Sequence, residues 1–121
     1  MCGRYTISNP SGLARVFGAT AFLDGLGTGG PIPSYNVAPT HRVPVVREHA
    51  GARELRLATW DFQGGAKTDR PRINARSETV ATHPMFRSGF RSHRCLVPSD
   101  GFIEWERQGR SREPWWYRLA T

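Results

Sequence analysis

The chain has 121 residues, with 17 basic against 10 acidic side chains and a net charge of +7, and all but one of the basic residues are arginine. That length predicts one domain with a modest core; no apolar run nears the ~20 residues of a membrane span and no basic-then-apolar leader is present, which predicts a soluble, cytoplasmic protein without a membrane partner. Two cysteines, Cys2 and Cys95, and four scattered histidines provide neither a disulfide framework nor metal-ligand spacing, so no metal and no other cofactor is expected.

The order of the chain begins with Met1-Cys2-Gly3-Arg4. Loss of the initiator methionine would leave Cys2 as the terminus, with an amine and a thiol on adjacent carbons. Such an aminothiol attacks an acyl carbon with its own amine as base. It also condenses with an aldehyde, first as a Schiff base and then, through sulfur, as a thiazolidine. Tyr5 to Ile7 reads as a short strand carrying that terminus. Asn9-Pro10 predicts a helix start, with Leu13, Val16 and Phe17 as its apolar stripe and Gly18 as its stop. A Gly-rich loop is expected over 24–33; it has no lysine to make it a nucleotide-binding loop.

Residues 35–40, Tyr-Asn-Val-Ala-Pro-Thr, read as an extended piece that turns at the proline. Strands are predicted from Val43 to Arg47 and around Leu55, Leu57 and Thr59, with a turn over 49–53 between them and a polar loop over 61–72. Ser77 is placed to cap a short helix from Glu78 to Ala81, and Pro84 to open a second with Phe86 and Phe90 on one face and Arg87 and Arg91 on another. Cys95 to Val97 reads as a strand with Cys95 as a buried core thiol, closed by the turn Pro98-Ser99-Asp100-Gly101. Phe102 to Arg107 alternates as a strand, residues 108–113 as a turn, and Trp115 to Leu119 as its hairpin partner. The fold class expected is α+β: mostly antiparallel sheets in an open, barrel-like core with a few short helices. Arginine grips phosphate bidentately, so the basic balance and four tryptophans fit nucleic acid; a solvated basic surface fits them equally well.

Four blocks in order, Met-Cys-Gly-Arg-Tyr at 1–5, Tyr-Asn-Val-Ala-Pro-Thr at 35–40, Asn-Ala-Arg-Ser-Glu-Thr at 74–79 and Arg-Cys-Leu-Val-Pro-Ser-Asp-Gly-Phe-Ile-Glu-Trp at 94–105, resemble the SRAP family, the SOS-response-associated peptidase or abasic-site processing proteins. The resemblance implies a sensor of abasic sites in single-stranded DNA that traps the ring-opened aldehyde as a thiazolidine on Cys2 once Met1 has left, with an associated autopeptidase activity. It implies that Arg4 binds a phosphate beside the lesion and helps hold the thiolate, that Asn74 positions the terminal amine or the sugar, and that Arg76 contacts the DNA backbone. Glu104 becomes the acid/base candidate, because a carboxyl drawn out of water on a strand beside Trp105 is suited to proton shuttling. Trp60 and Trp105 are candidate stacking platforms or wedges for bases, with core packing as the other reading of each.

Family members run longer and carry an active-site histidine beyond the Glu104-Trp105 block, where this chain has none. The family's Trp-Gly-Leu-Ile-Pro block stands here as Trp60-Asp61-Phe62-Gln63-Gly64. The expectation is therefore a single SRAP-type domain over residues 1–121 with its C-terminal part missing, marginal alone or paired with another chain that completes it. Two other classes fit parts of the pattern. One is an N-terminal-nucleophile amidohydrolase of the glutaminase type, which also begins Met-Cys-Gly; the other is a non-catalytic single-strand DNA-binding remnant.

Overall fold

The structure is a computed structural model and describes residues 2–22, 33–62 and 72–120. The loops expected over 24–33 and 61–72 fall almost wholly outside the described residues. Seven strands and two short helices follow one another: β1 (Arg4–Ile7), α1 (Leu13–Phe17), β2 (Thr20–Phe22), β3 (Ser34–Val37), β4 (Arg42–His49), β5 (Ala52–Thr59), α2 (Arg87–Ser92), β6 (Gly101–Gln108) and β7 (Ser111–Tyr117). They form two sheets, ordered β3-β1-β6-β7 and β2-β5-β4. Every pairing is antiparallel except β2 with β5. The result is the expected α+β class, a curled half-barrel of mostly antiparallel strands.

The two sheets meet at one apolar cluster of Tyr5, Ile7, Val37, Val43 and Val45, with Leu13, Ala58 and Trp60 packed against it. β1 is the centre of the first sheet and is covered on both faces, so Tyr5, Thr6 and Ile7 are all buried rather than alternating. Thr6 satisfies its hydroxyl by donating to Asp100 Oδ1 at 2.6 Å and by accepting from Trp116 Nε1 at 3.1 Å. Asp100 also accepts from the backbone N–H and the hydroxyl of Ser8. Burial opposes ionisation of that carboxyl, but the Ser8 and Thr6 hydrogen bonds outweigh it and hold Asp100 below the usual carboxylate range. The Pro98–Gly101 turn is thereby tied to the strand that carries Cys2.

Glycine at 101 is required by this arrangement. A Cβ there would run into the Trp116 indole and lie 2.9 Å from the carbonyl oxygen of Tyr117. On the second sheet, Glu54 is buried and receives Arg56 Nε at 2.7 Å and Arg47 Nη2 at 2.9 Å. Arg56 above all, with Arg47, overcomes the desolvation and draws the Glu54 carboxyl down to about 2.

Several predicted elements are corrected. The first helix starts at Leu13, not Pro10, because Pro10 only accepts a turn bond from the Leu13 N–H and the cap position is Gly12, which has no capping side chain. Val16 is 72% exposed and takes no part in an apolar stripe. Gly18 ends the helix as expected, at φ 58. Residues 77–82 make turns rather than a helix. Thr79, Val80 and Thr82 are β-branched, and His83 precedes a proline that disfavours the helical region. α2 opens only at Arg87.

The strand expected at 95–97 shrinks to a single bridge, in which Leu96 and Val46 exchange backbone bonds of 2.8 and 2.9 Å. Pro98 has no N–H with which to extend it. β7 begins at Ser111 instead of Trp115, since Gly109 takes φ 61 and closes a two-residue hairpin that brings Gln108 opposite Ser111. Short β2 was not expected at all. No helix among the described residues is long and apolar enough to cross a membrane.

Candidate active site

An open cavity of about 560 Å³ lies beside the core, and Cys2, Tyr5, Trp60, Asn74, Cys95 and Phe102 are among its walls. Several separate parts of the chain converge there. β1 delivers Cys2 at the cavity wall, where its thiol donates to the Arg4 carbonyl at 3.2 Å. The segment 72–74 delivers Asn74, whose Nδ2 donates to the Cys2 carbonyl at 3.1 Å. This contact spans 72 residues of sequence.

The Asn74 segment is itself hung on residues 60–62. Trp60 Nε1 donates to the Ile73 carbonyl at 3.4 Å, the Arg72 N–H to Asp61 Oδ1 at 3.0 Å, and the Phe62 N–H to the Arg72 carbonyl at 3.1 Å. The Trp60 ring packs at 5.5 Å from the ring of Tyr5, so the indole joins β1 to the Asn74 segment. α2 packs behind Phe62 and adds no residue to the described lining. Gly89 lets it approach, because a Cβ there would sit 3.0 Å from the Phe62 ring.

The cavity wall favours neutral groups. The Tyr5 hydroxyl is buried with no hydrogen-bond partner among the described residues, and burial pushes its ionisation up to about 12. Cys95, expected as a core thiol, is instead an exposed residue whose thiol lines this cavity; partial burial there pushes the thiol up. The correction follows from the lost strand. With only the Leu96 bridge to hold it, the 95–97 segment lies against the sheet edge, and Leu96 and Val97 are 60% and 49% exposed.

The remaining sequence candidates divide between two faces. Arg4 donates through Nη1 to Asn36 Oδ1 at 2.8 Å and lies 5.8 Å above the Trp105 ring. Arg4 and Trp105 thus form their own pair, next to the cavity but outside its lining. Glu104 is half-buried on β6. By strand alternation it shares a face of β6 with Phe102, which lines the cavity, but Glu104 itself is not among the described lining residues. Arg76 is exposed two residues beyond Asn74. Asn36 and Asp100 were missed as supporting residues. Both stand inside the sequence blocks already noted, but their partners, Arg4 and the pair Thr6 and Ser8, become visible only when β1 is paired. Among the described residues no three His, Cys, Asp or Glu side chains gather to hold a metal ion.

The sequence matches the family model described as SOS response associated peptidase (SRAP) over residues 1–121. The chain belongs to the SRAP family. An abasic site processing protein of Bacillus subtilis strain 168, YobE, is 34% identical to this SRAP chain over 112 residues, covering 88% of the chain and 50% of that protein. The abasic site processing protein YedK of Escherichia coli K12 is 35% identical over 90 residues, covering 74% and 40% respectively. A solved crystal structure of a protein from Bacteroides thetaiotaomicron superposes with a TM-score of 0.79 at 22% identity, over 95% of this chain and 53% of that one. That likeness shows the same fold. The chain spans about half the length of the curated relatives it matches.

Proposed function

We propose that this SRAP chain captures abasic sites in single-stranded DNA by forming a thiazolidine with Cys2, after removal of Met1. The observation that carries the reading is the Asn74–Cys2 hydrogen bond at the wall of an open cavity. It holds the terminal residue where a sugar aldehyde can enter. In the first step the terminal amine adds to the aldehyde carbon, and water leaves to give a Schiff base. In the second the thiol adds to the imine carbon; the C–S bond forms and the thiol proton passes to nitrogen. No oxidant or cofactor is consumed.

The roles follow from position. Asn74 orients the terminus through the Cys2 carbonyl. Glu104, on the cavity side of β6, moves the protons of sugar ring opening and of water loss. Arg4, steadied by Asn36 and Trp105, takes a phosphate beside the lesion, and Trp105, 41% exposed, offers a face to a neighbouring base. Arg76 contacts the backbone leaving the site, and Trp60 forms the wall under the lesion. Release of Met1 by the chain itself is the peptidase side of the same site. The exposed aromatic hairpin, with Trp115, Trp116 and Tyr117 each about half exposed, is the surface that a completing polypeptide would cover.

Incubation of the Met1-processed chain with a single strand bearing one abasic site tests the reading on a denaturing gel. A shifted band that vanishes in Cys2→Ala is expected. Dissociable binding alone refutes covalent capture, and glutamine hydrolysis in its place assigns the site to the amidohydrolase class.

A further inference from the structure

Resting on that reading, we propose that the DNA strand continues from the Cys2 cavity into a second phosphate-binding furrow, built by α2 and β4 and centred on Arg91 and Arg94. This furrow, of about 600 Å³, is lined by Arg47, Arg53, Arg91, Arg94, Glu48 and Cys95 among others. It shares Cys95 with the Cys2 cavity, so the two hollows have a common wall. A third, shallow hollow of about 270 Å³ joins them, with Asn74 at its cavity end and Arg94 at its furrow end. The three hollows thus share wall residues from Asn74 through Arg94, and the proposed backbone path follows them to Arg91.

The charges along this path are arranged for an anion. Arg47 is already engaged by Glu54, and Arg53 Nη1 donates to the Phe17 carbonyl at 3.1 Å, so both have settled structural duties. Arg91 and Arg94 have no carboxylate partner among the described residues. Arg94 is steadied over the Phe90 ring at 5.6 Å, which pre-orients a planar fork suited to phosphate oxygens. Glu48 is the one carboxylate in the lining and leaves the furrow a positive excess. Arg87 extends the same stripe one helical turn back, where it shares a further hollow with Arg91. This basic stripe is not used by the Cys2 site.

The test compares the wild-type chain with Arg91→Gln/Arg94→Gln, and with Arg110→Gln/Arg112→Gln, which removes equal charge at the distant hairpin. Binding of undamaged single strands of about four and about sixteen nucleotides is measured against salt, and adduct formation is followed on a short abasic strand. The furrow variant is expected to lower affinity for the long strand and to make its log–log salt dependence shallower by about 1.4, roughly 0.7 for each phosphate that is no longer neutralised. Short-strand binding and adduct formation stay at the wild-type level, and the hairpin variant behaves as wild type throughout. An unchanged long-strand slope overturns the furrow, as does an equal loss for short and long strands or for the hairpin variant. Absence of any adduct in the wild type refutes the Cys2 reading alone, because the slopes on undamaged strands read the furrow independently.

Discussion

Asn74 is the sharpest place to perturb the site. Its side chain is exposed, and its one bond to the terminus is the 3.1 Å contact from Nδ2 to the Cys2 carbonyl. A hydrogen bond of this kind contributes a net of about 0.5–1.5 kcal/mol. If that preference is what keeps the terminus at the cavity wall, removing it lowers the fraction of poised molecules by the same free energy. At about 1.36 kcal/mol per tenfold, the rate of adduct formation should fall by roughly 2- to 13-fold.

Asn74→Ala removes the donor. Asn74→Asp keeps the shape but replaces the donor with an acceptor facing a carbonyl, so it should fall at least as far. Neither should disturb the segment, which hangs on main-chain and Trp60 bonds through Arg72 and Ile73. The assay is single-turnover adduct formation with excess protein, after mass spectrometry has shown equal Met1 removal. Binding to an undamaged strand serves as the reference. An Asn74→Asp rate equal to wild type would refute positioning through the Cys2 carbonyl. A rate loss matched by an equal loss of undamaged-strand binding would refute it too.

Gly101→Ala should destabilise the chain by about 2–4 kcal/mol, from overpacking against Trp116 and loss of its bond to Thr6. With an unfolding entropy of about 0.25 kcal/mol/K for this length, Tm should fall by roughly 8–16 °C; the drop should shrink in a Trp116→Ala background, and an equal drop there argues against the clash. Tyr5→Phe removes a buried, unpartnered hydroxyl and should raise stability by about 1 kcal/mol, read as a denaturation midpoint shifted upward. Asp100 and Glu54 both have depressed folded-state values, so the unfolded chain binds more protons in acid and their stabilisation, complete above roughly pH 5, is lost as pH falls through their folded-state values, about 2 for Glu54. Asp100→Asn should flatten part of that acid slope in chemical unfolding at stepped pH; an unaltered slope would show that the Ser8 and Thr6 bonds do not carry it.

Much of the local structure was legible from local chemistry. Gly18 stops α1, and the alternation from Phe102 to Arg107 marks β6. The failures share a cause. Val16 rests on helical spacing, the helix at 78–81 on Ser77 as its cap and the strand at 95–97 on a short apolar run, and each of these local signals holds only where a partner surface is present. Val16 has no covering surface, and Leu96 finds only one bridge on Val46. Cys95 follows Leu96 to the cavity edge rather than into the core.

Residue identity alone sets the chemistry at hand: a thiol at Cys2, one residue from the first methionine, an amide at Asn74, carboxyls at Glu104 and Asp100, and an arginine-rich chain. Those are properties of side chains and of their distance from a terminus, and they need no fold. Which of them meet is a matter of the fold. Asn74 reaches Cys2, Arg4 turns to Asn36 and Trp105, and Asp100 fastens the β6 turn to β1. Each of these contacts joins residues more than 30 positions apart, Arg4 and Asp100 through strand pairing and Asn74 through the bonds of its segment to residues 60–62. Register and burial set such contacts, and both depend on partners that no local stretch of sequence contains.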